Sequence, residues 1–253
     1  MCKLTGFYGK LPSNGDFISR NLPVTFIDPW DNWLQSSIAA SREQLGEQWL
    51  EYFLVAPVWR FIISSGNCGE NAWIGVLMPS VDKVGRYFPL TIASHITQSI
   101  KPIALMDECS AWFEQAEELA LTALEKDFQL EQLEVSIKEL ADPLLKRITD
   151  NEALADINKE KRFQGHFSMD PVNPNPLSAF PAISHYFIEQ TFSSYSLWWT
   201  SGSEEVKPSF LVCEGLPQSD GYVSLLDGVW ERHNWQDIKS LFVVGDTPAL
   251  MGI

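Results

Sequence analysis

The stretch that decides the fold is Met78-Pro79-Ser80-Val81-Asp82-Lys83-Val84-Gly85-Arg86-Tyr87-Phe88-Pro89-Leu90. Apolar runs lead into it (72–78) and out of it (87–93), while its centre is polar. Two apolar runs that flank a polar, turn-forming segment are typical of a β-hairpin. The sequence therefore predicts two buried strands joined by a charged loop, in which Gly85 is free to adopt a positive φ.

The loop of this hairpin carries Asp82, Lys83 and Arg86 within five residues. Two interpretations stay open at this point. Charged side chains on a rigid base can form a recognition tip for a partner. Alternatively, Asp82 and Arg86 pair across the turn and only fix its shape. Polar loops are commoner than binding sites, which favours the structural interpretation.

The charge balance narrows the class of partner. The 253 residues contain 18 Lys and Arg against 33 Asp and Glu, for a formal net charge of −15. Such a chain is repelled by phosphate backbones and by anionic lipid, so we expect no nucleic-acid partner. No apolar run approaches the roughly 20 residues that span a bilayer, and the N-terminus lacks a signal region. We therefore expect a cytoplasmic protein without membrane insertion.

No residue pattern predicts an active site. The four cysteines lie far apart, which argues against a zinc site and a disulfide framework. The four histidines are scattered, and no G-x-S-x-G elbow is present. The prediction is a protein that is not an enzyme and that has no catalytic residue, metal or cofactor. An active site assembled only in three dimensions would escape this search.

The fold class follows from strands that carry apolar residues on both alternating faces. Segments 58–63 and 72–78 have this pattern, which is typical of central strands covered on both sides. Asp28-Pro29 looks like the start of an amphipathic helix, with Asp28 as its N-cap. The sequence predicts an α/β fold: a mixed, mostly antiparallel central sheet covered by helices on both faces, a three-layer α-β-α sandwich. We expect residues 1–253 to form one domain, with a seam or long loop at 158–181.

Arg60 interrupts the first of these apolar strands. A buried guanidinium without a carboxylate partner costs several kcal/mol. The candidate partners are four aspartates: Asp16, Asp28, Asp31 and Asp82. We predict a structural ion pair between Arg60 and Asp31, and a ligand-binding role for Arg60 is the less favoured alternative.

Several segments together resemble one family, TagF (also called ImpM), whose members are associated with the type VI secretion system. The first hundred residues carry nearly all of the resemblance. The segments are Gly6-Phe7-Tyr8-Gly9-Lys10-Leu11-Pro12, Gly15-Asp16-Phe17, Trp30-Asp31-x-Trp33-Leu34, Ser41-Arg42-x-x-Leu45-Gly46, Pro57-Val58-Trp59-Arg60-Phe61 and, most densely, 73–90. The chain is similar to the stand-alone form of the family, which lacks a phosphatase domain.

The resemblance implies a cytoplasmic, non-enzymatic accessory protein that restrains assembly or firing of the secretion system after translation. Its implied partner is a scaffold protein with a forkhead-associated domain. A structural component of the apparatus and an enzyme with an unrecognised site are the alternatives. We expect the contacts with the partner to cluster at 10–20 and at 82–86, and the predicted contact residues are Lys10, Asp16, Arg20, Asp82, Lys83 and Arg86.

Overall fold

The computed structural model describes residues 5–96, 102–125, 127–140 and 179–238. Short 3₁₀ turns occur at Gly46–Gln48 and Gly221–Val223. The strands and helices follow one another as β1 (Thr5–Gly9), β2 (Ile18–Arg20), α1 (Val24–Leu45), α2 (Trp49–Val55), β3 (Trp59–Ile63), β4 (Ala72–Met78), β5 (Leu90–Ile96), α3 (Pro102–Glu108), α4 (Ser110–Thr122), α5 (Leu130–Glu139), α6 (Phe180–Thr191), β6 (Tyr195–Thr200), β7 (Ser209–Glu214) and α7 (Ser224–Asp227).

The described strands form one seven-stranded sheet in the order β2-β1-β5-β4-β3-β6-β7. Every described pair of neighbours is antiparallel. The predicted hairpin is the β4–β5 pair, in which Met78 lies opposite Leu90. The prediction of an antiparallel sheet combined with helices is confirmed. No parallel pair occurs among the described strands, so the mixed sheet that we expected is not seen there.

Alternate side chains of the central strands enter two separate cores. Trp59 and Phe61 of β3 belong to a cluster that includes buried side chains of α1, α2 and α7. Ile62 of β3 and Ile74 of β4 belong to a second cluster with α4 and α5. Apolar side chains on both faces of these strands are therefore buried, as predicted for strands that are apolar on both alternating faces.

Trp30 of α1 is the central side chain of the first core and is fully buried. Its ring lies 4.8 Å from the ring of Phe61 and 6.0 Å, in a parallel stack, from that of Trp198, measured between centroids. Its indole Nε1 donates a hydrogen bond of 2.9 Å to Oγ1 of Thr91 on β5. The indole thus connects α1 to three strands of the sheet, and its buried N–H group has a hydrogen-bond acceptor.

Helix α1 begins earlier than predicted. It starts at Val24, and Pro29 lies inside it rather than at its first position. The carbonyl of Pro23 accepts hydrogen bonds from the backbone N–H of Phe26 and of Ile27. The additional turn buries Phe26 completely, with its ring 4.4 Å from that of Trp73. The stabilisation from burying the ring of Phe26 therefore outweighs the preference of Asp28-Pro29 for the first turn of a helix.

The predicted seam or long loop at 158–181 lies, up to residue 178, outside the described residues. Its last two positions are already helical, since α6 begins at Phe180. Strand β6, which follows α6, pairs with β3, so segments from both sides of the undescribed stretch share one sheet. In the part of the chain that the structure describes, none of the helices combines the length and apolar composition that crossing a bilayer requires.

We expect Trp30→Ala to lower the free energy of unfolding by about 3–5 kcal/mol, because it leaves a cavity under α1 and removes the bond to Thr91. Urea unfolding followed by circular dichroism measures this loss. Leu54→Ala, at a side chain that is 55% exposed on α2, is the control and should cost less than about 0.5 kcal/mol. Equal losses for the two variants would contradict the central position of Trp30.

Candidate interaction site

Two loops, 10–17 and 79–89, lie against each other and are called the tip below. The hydroxyl of Ser80 donates a hydrogen bond of 2.8 Å to the carbonyl of Lys10. The backbone N–H of Lys83 donates one of 2.9 Å to the carbonyl of Asn14. At the base of the tip Gly9 has φ +135°, and a Cβ there would collide with the carbonyl oxygen of Pro89. The strand pair β1–β5 brings the loops together, and a glycine allows the close approach.

Asp82 is the centre of the tip, and its side chain has no exposed surface. Its Oδ2 lies 2.9 Å from Nζ of Lys10 and 2.7 Å from Nε of Arg86. Its Oδ1 accepts hydrogen bonds from the backbone N–H groups of Val84 (3.0 Å) and Arg86 (2.8 Å). Gly85 adopts the predicted positive φ, +85°. The pairing of Asp82 with Arg86 across the turn is the contact that the structural interpretation requires.

The pKa of Asp82 lies well below the usual range of an aspartate. Burial by itself raises this pKa, but four hydrogen bonds to the ionised form act in the opposite direction. They come from the backbone and side chain of Arg86, the ammonium of Lys10 and the backbone of Val84. Asp82 is therefore a charged group at neutral pH, held by donors that would be left unpaired without it.

The predicted contact residues divide into two groups. Arg86 extends from Asp82 to the carbonyl of Gly15 and lies 3.8 Å from the exposed carboxylate of Asp16. Lys83 contacts the other loop only through its backbone, and its side chain is exposed. Lys10, Asp16, Asp82, Lys83 and Arg86 thus lie together in the tip.

Arg20 lies apart from this group. Its Nε is 2.6 Å from Oε1 of Glu134 on α5, and both side chains are partly exposed. The ion pair attaches the short edge strand β2 to a helix, and no described contact connects Arg20 to the tip.

Phe17 is a member of the tip that the sequence prediction missed. Its ring is 50% exposed, yet it contacts the rings of Tyr8 and Phe88, with centroids at 5.9 and 4.8 Å. Nζ of Lys10 lies 4.9 Å from the centroid of Phe17. The sequence did contain a signal for Phe17, because an aromatic residue directly follows the turn Gly15-Asp16 in an otherwise polar part of the chain. An exposed ring held by neighbouring rings is suited to binding a partner.

The predicted ion pair between Arg60 and Asp31 is wrong. Arg60 pairs with Glu117 of α4, with Nη2 to Oε2 at 2.6 Å. Its neighbours Trp59 and Phe61 face α1, so Arg60 faces the opposite side of the sheet. Asp31 lies on α1 and accepts hydrogen bonds of 2.5 Å from the hydroxyl of Tyr8 and the amide of Gln35.

Two open grooves, each of about 410 Å³, flank the sheet on opposite sides. One contains Arg60 and four glutamates of the α4 region; its lining is Arg60, Glu114, Glu117, Glu118, Leu121, Thr122 and Glu125. The other lies beside the tip and is lined by Gln35, Ile38, Ala39, Arg42, Tyr87 and Phe88. Among the described residues, no group of His, Cys, Asp and Glu side chains is arranged to hold a metal ion.

Comparison with known proteins decides the family. A family model described as "TagF N-terminal domain, Type VI secretion system-associated" matches residues 6–140, more than half of the chain. The chain belongs to the TagF family. The resemblance of the N-terminal segments is thereby confirmed, and so is the association with the type VI secretion system. The matched range contains both loops of the tip and the groove beside it.

A solved relative extends the similarity beyond the TagF N-terminal domain. The crystal structure of PA0076 from Pseudomonas aeruginosa PAO1 is similar to this TagF-family protein with a TM-score of 0.73 and 36% sequence identity. The match covers 88% of this chain and 94% of that chain. No curated protein matches this chain.

The lowered pKa of Asp82 predicts a pH dependence of stability. Because the folded pKa lies below the unfolded value of about 3.9, the ionised carboxylate stabilises the folded state at all pH values above that. This contribution is lost as the pH falls below about 4 toward the folded pKa. We expect Asp82→Asn to be less stable than wild type at pH 7, and the difference to shrink below about pH 4.

Urea unfolding at a series of pH values from 7 to 3 measures this difference. Asp16→Asn is the matched control, because Asp16 is fully exposed, and it should show no such trend. A stability difference for Asp82→Asn that stays constant down to pH 3 would contradict the assigned charge state.

Proposed function

We propose that this TagF-family protein is a non-enzymatic, cytoplasmic regulator of the type VI secretion system. It acts after translation, by binding a protein partner and restraining assembly or firing of the apparatus. The partner that we propose is a scaffold protein with a forkhead-associated domain, as the family resemblance implies. The observation that carries the binding role is the tip, in which exposed side chains stand on a frame fixed by the buried Asp82.

The tip is preorganised for binding. Its backbone is held by bonds from Lys83 to the carbonyl of Asn14 and from Val84 and Arg86 to Asp82. A surface that is rigid before binding loses less conformational entropy on association. The side chain of Val84 is 68% exposed and that of Phe17 is 50% exposed. Exposed apolar groups surrounded by charged ones are the composition of an interface centre with a polar rim.

The overall charge contributes at longer range. With a net charge of −15, the protein attracts a partner that presents a basic face, and this steering accelerates the encounter. The tip itself combines Lys10, Lys83 and Arg86 with Asp16 and Asp82, so local pairing there selects the orientation. Steering and orientation are thus properties of different parts of the molecule.

We also propose that residues 1–253 form one domain with the sheet as the middle layer of a three-layer α-β-α sandwich. Two observations support this arrangement. The sheet residues divide between a cluster with α1 and α2 and a cluster with α4 and α5. In addition, β6 and β7 extend the same sheet that the N-terminal strands form.

Deletion of the gene is expected to raise secretion, because a repressor is removed. The measurement is the amount of a type VI substrate in the culture medium, with the deletion complemented by the wild-type gene as control. Loss of secretion would instead indicate a structural component of the apparatus, and unchanged secretion would contradict a regulatory role.

A double substitution in the tip, Lys83→Glu with Val84→Ser, is expected to raise secretion toward the level of the deletion strain. Both side chains are exposed and neither contributes a side chain to the Asp82 network, so folding should persist; thermal unfolding checks this. Lys138→Glu, at an exposed lysine of α5, is the control for the charge change. Full repression by a correctly folded double variant would show that the tip is only structural.

A further inference from the structure

The groove beside the tip, called the α1 groove below, has an apolar floor. Ile38 and Phe88 are buried there, and Tyr87 is half-buried. The ring of Phe88 also contacts the exposed ring of Phe17, with centroids 4.8 Å apart. The α1 groove is therefore continuous with the tip through Phe88, and a partner bound at the tip lies next to it.

Arg42 at one side of this groove lacks a carboxylate. Its exposed guanidinium lies over the ring of the buried Trp49, 4.2 Å from the centroid. In the described part of the chain it is the arginine that has no ion pair with Asp or Glu. The described arginines that do have one are Arg20, Arg60, Arg86 and Arg232.

Exposed lysines such as Lys83 also lack an ion pair in the described chain, so what distinguishes Arg42 is its fixed position over Trp49. A place in the last turn of α1 suits a cation, because of the helix dipole. The dipole does not explain the stacked orientation, which fixes the plane of the guanidinium and leaves its N–H donors available.

The lining of the α1 groove contains no carboxylate, whereas the groove on the opposite side of the sheet contains four glutamates. Helix α1 also carries Glu43, next to Arg42 in the chain, but Glu43 forms no ion pair with it, and both oxygens of Asp31 accept hydrogen bonds from Tyr8 and Gln35. The α1 groove thus combines apolar surface, one amide and one cation without a counter-charge.

We propose that the α1 groove binds a short segment of the protein partner in which an Asp or Glu lies beside a bulky apolar residue. The carboxylate pairs with the guanidinium of Arg42, and the apolar side chain packs on Ile38, Tyr87 and Phe88. The amide nitrogen of Gln35 donates to Asp31, and its carbonyl oxygen is placed to accept a hydrogen bond from the backbone of the segment. This inference rests on the proposed function, since it gives the chemistry of the partner at a surface continuous with the tip.

Electrostatics makes the α1 groove selective. Arg and carboxylate form paired, charge-assisted hydrogen bonds that a neutral side chain cannot replace. The net charge of −15 opposes an acidic partner, but at physiological salt this repulsion is screened beyond about 8 Å. A segment with one or two acidic residues next to an apolar one can pair with Arg42. If the rest of the partner is neutral or basic, the negative charge of this protein does not repel it.

The test uses site-specific photo-crosslinking with the full-length protein in cells of its own organism. A benzophenone amino acid replaces Gln35 or Ala39, one helical turn apart in the α1 groove, and Lys138 on α5 in the control. We expect one protein to be crosslinked from the α1 groove and not from the control position. Mass spectrometry of the crosslinked peptide should place an Asp or Glu beside a bulky apolar residue.

The dependence on Arg42 is tested in the same assay. Arg42→Glu should lower the crosslinking yield from Ala39 at least about tenfold, because a paired charge is replaced by a repulsive one. Arg42→Lys keeps the charge without the planar fork and should give an intermediate yield. Lys138→Glu makes the same charge change on α5 and should leave the yield unaltered.

Three results overturn the proposal: no crosslink from either groove position, a crosslinked segment without the acidic and apolar pair, or a yield unaffected by Arg42→Glu. Secretion separates this failure from that of the proposed function. Suppose that deletion raises secretion, but that the Arg42→Glu variant represses normally and nothing is crosslinked. The proposed regulatory function is then supported and the proposed role of the α1 groove is wrong. If the crosslink depends on Arg42 while deletion leaves secretion unchanged, binding of a segment by the α1 groove is supported and the proposed regulatory function is wrong.

Discussion

A carboxylate removed from water needs donors to compensate for its lost hydration, and Asp82 obtains them from two different loops. Lys10 arrives from the end of β1, while Arg86 and two backbone N–H groups arrive from the β4–β5 loop. Because Lys10 is itself buried, each charge of this pair requires the other. The tip therefore has one arrangement rather than several, and its exposed side chains take their positions from this network.

Different residues of the tip support its loops and are available for contact with a partner. Lys10 and Asp82 are buried and hold the loops, whereas Phe17, Lys83 and Val84 are exposed and free to touch a partner. The structural and the functional interpretations of the loop are thus compatible, since they concern different side chains. The α1 groove follows the same logic, with Trp49 as the buried support of the exposed Arg42.

Local sequence patterns predicted the structural features that depend on residues close together in the chain. The hairpin followed from two apolar runs around a turn, and the positive φ of Gly85 from the absence of a Cβ. The start of α1 was misplaced, because burial of Phe26 under Trp73 outweighs the preference of Asp28-Pro29 for a first turn. The partner of Arg60 was misassigned, because composition does not reveal which helix covers which face of a strand.

The sequence by itself determined the antiparallel hairpin, the burial of its strands on both sides and the family, since each follows from residue order over short distances. Only the tertiary structure decided that Asp82 binds Lys10, 72 positions earlier in the chain, and that Arg42 remains without a carboxylate. Contacts of this kind depend on which strands become neighbours in the sheet and on which side of it each helix packs. Those choices minimise the free energy of the whole chain, so no short segment contains them.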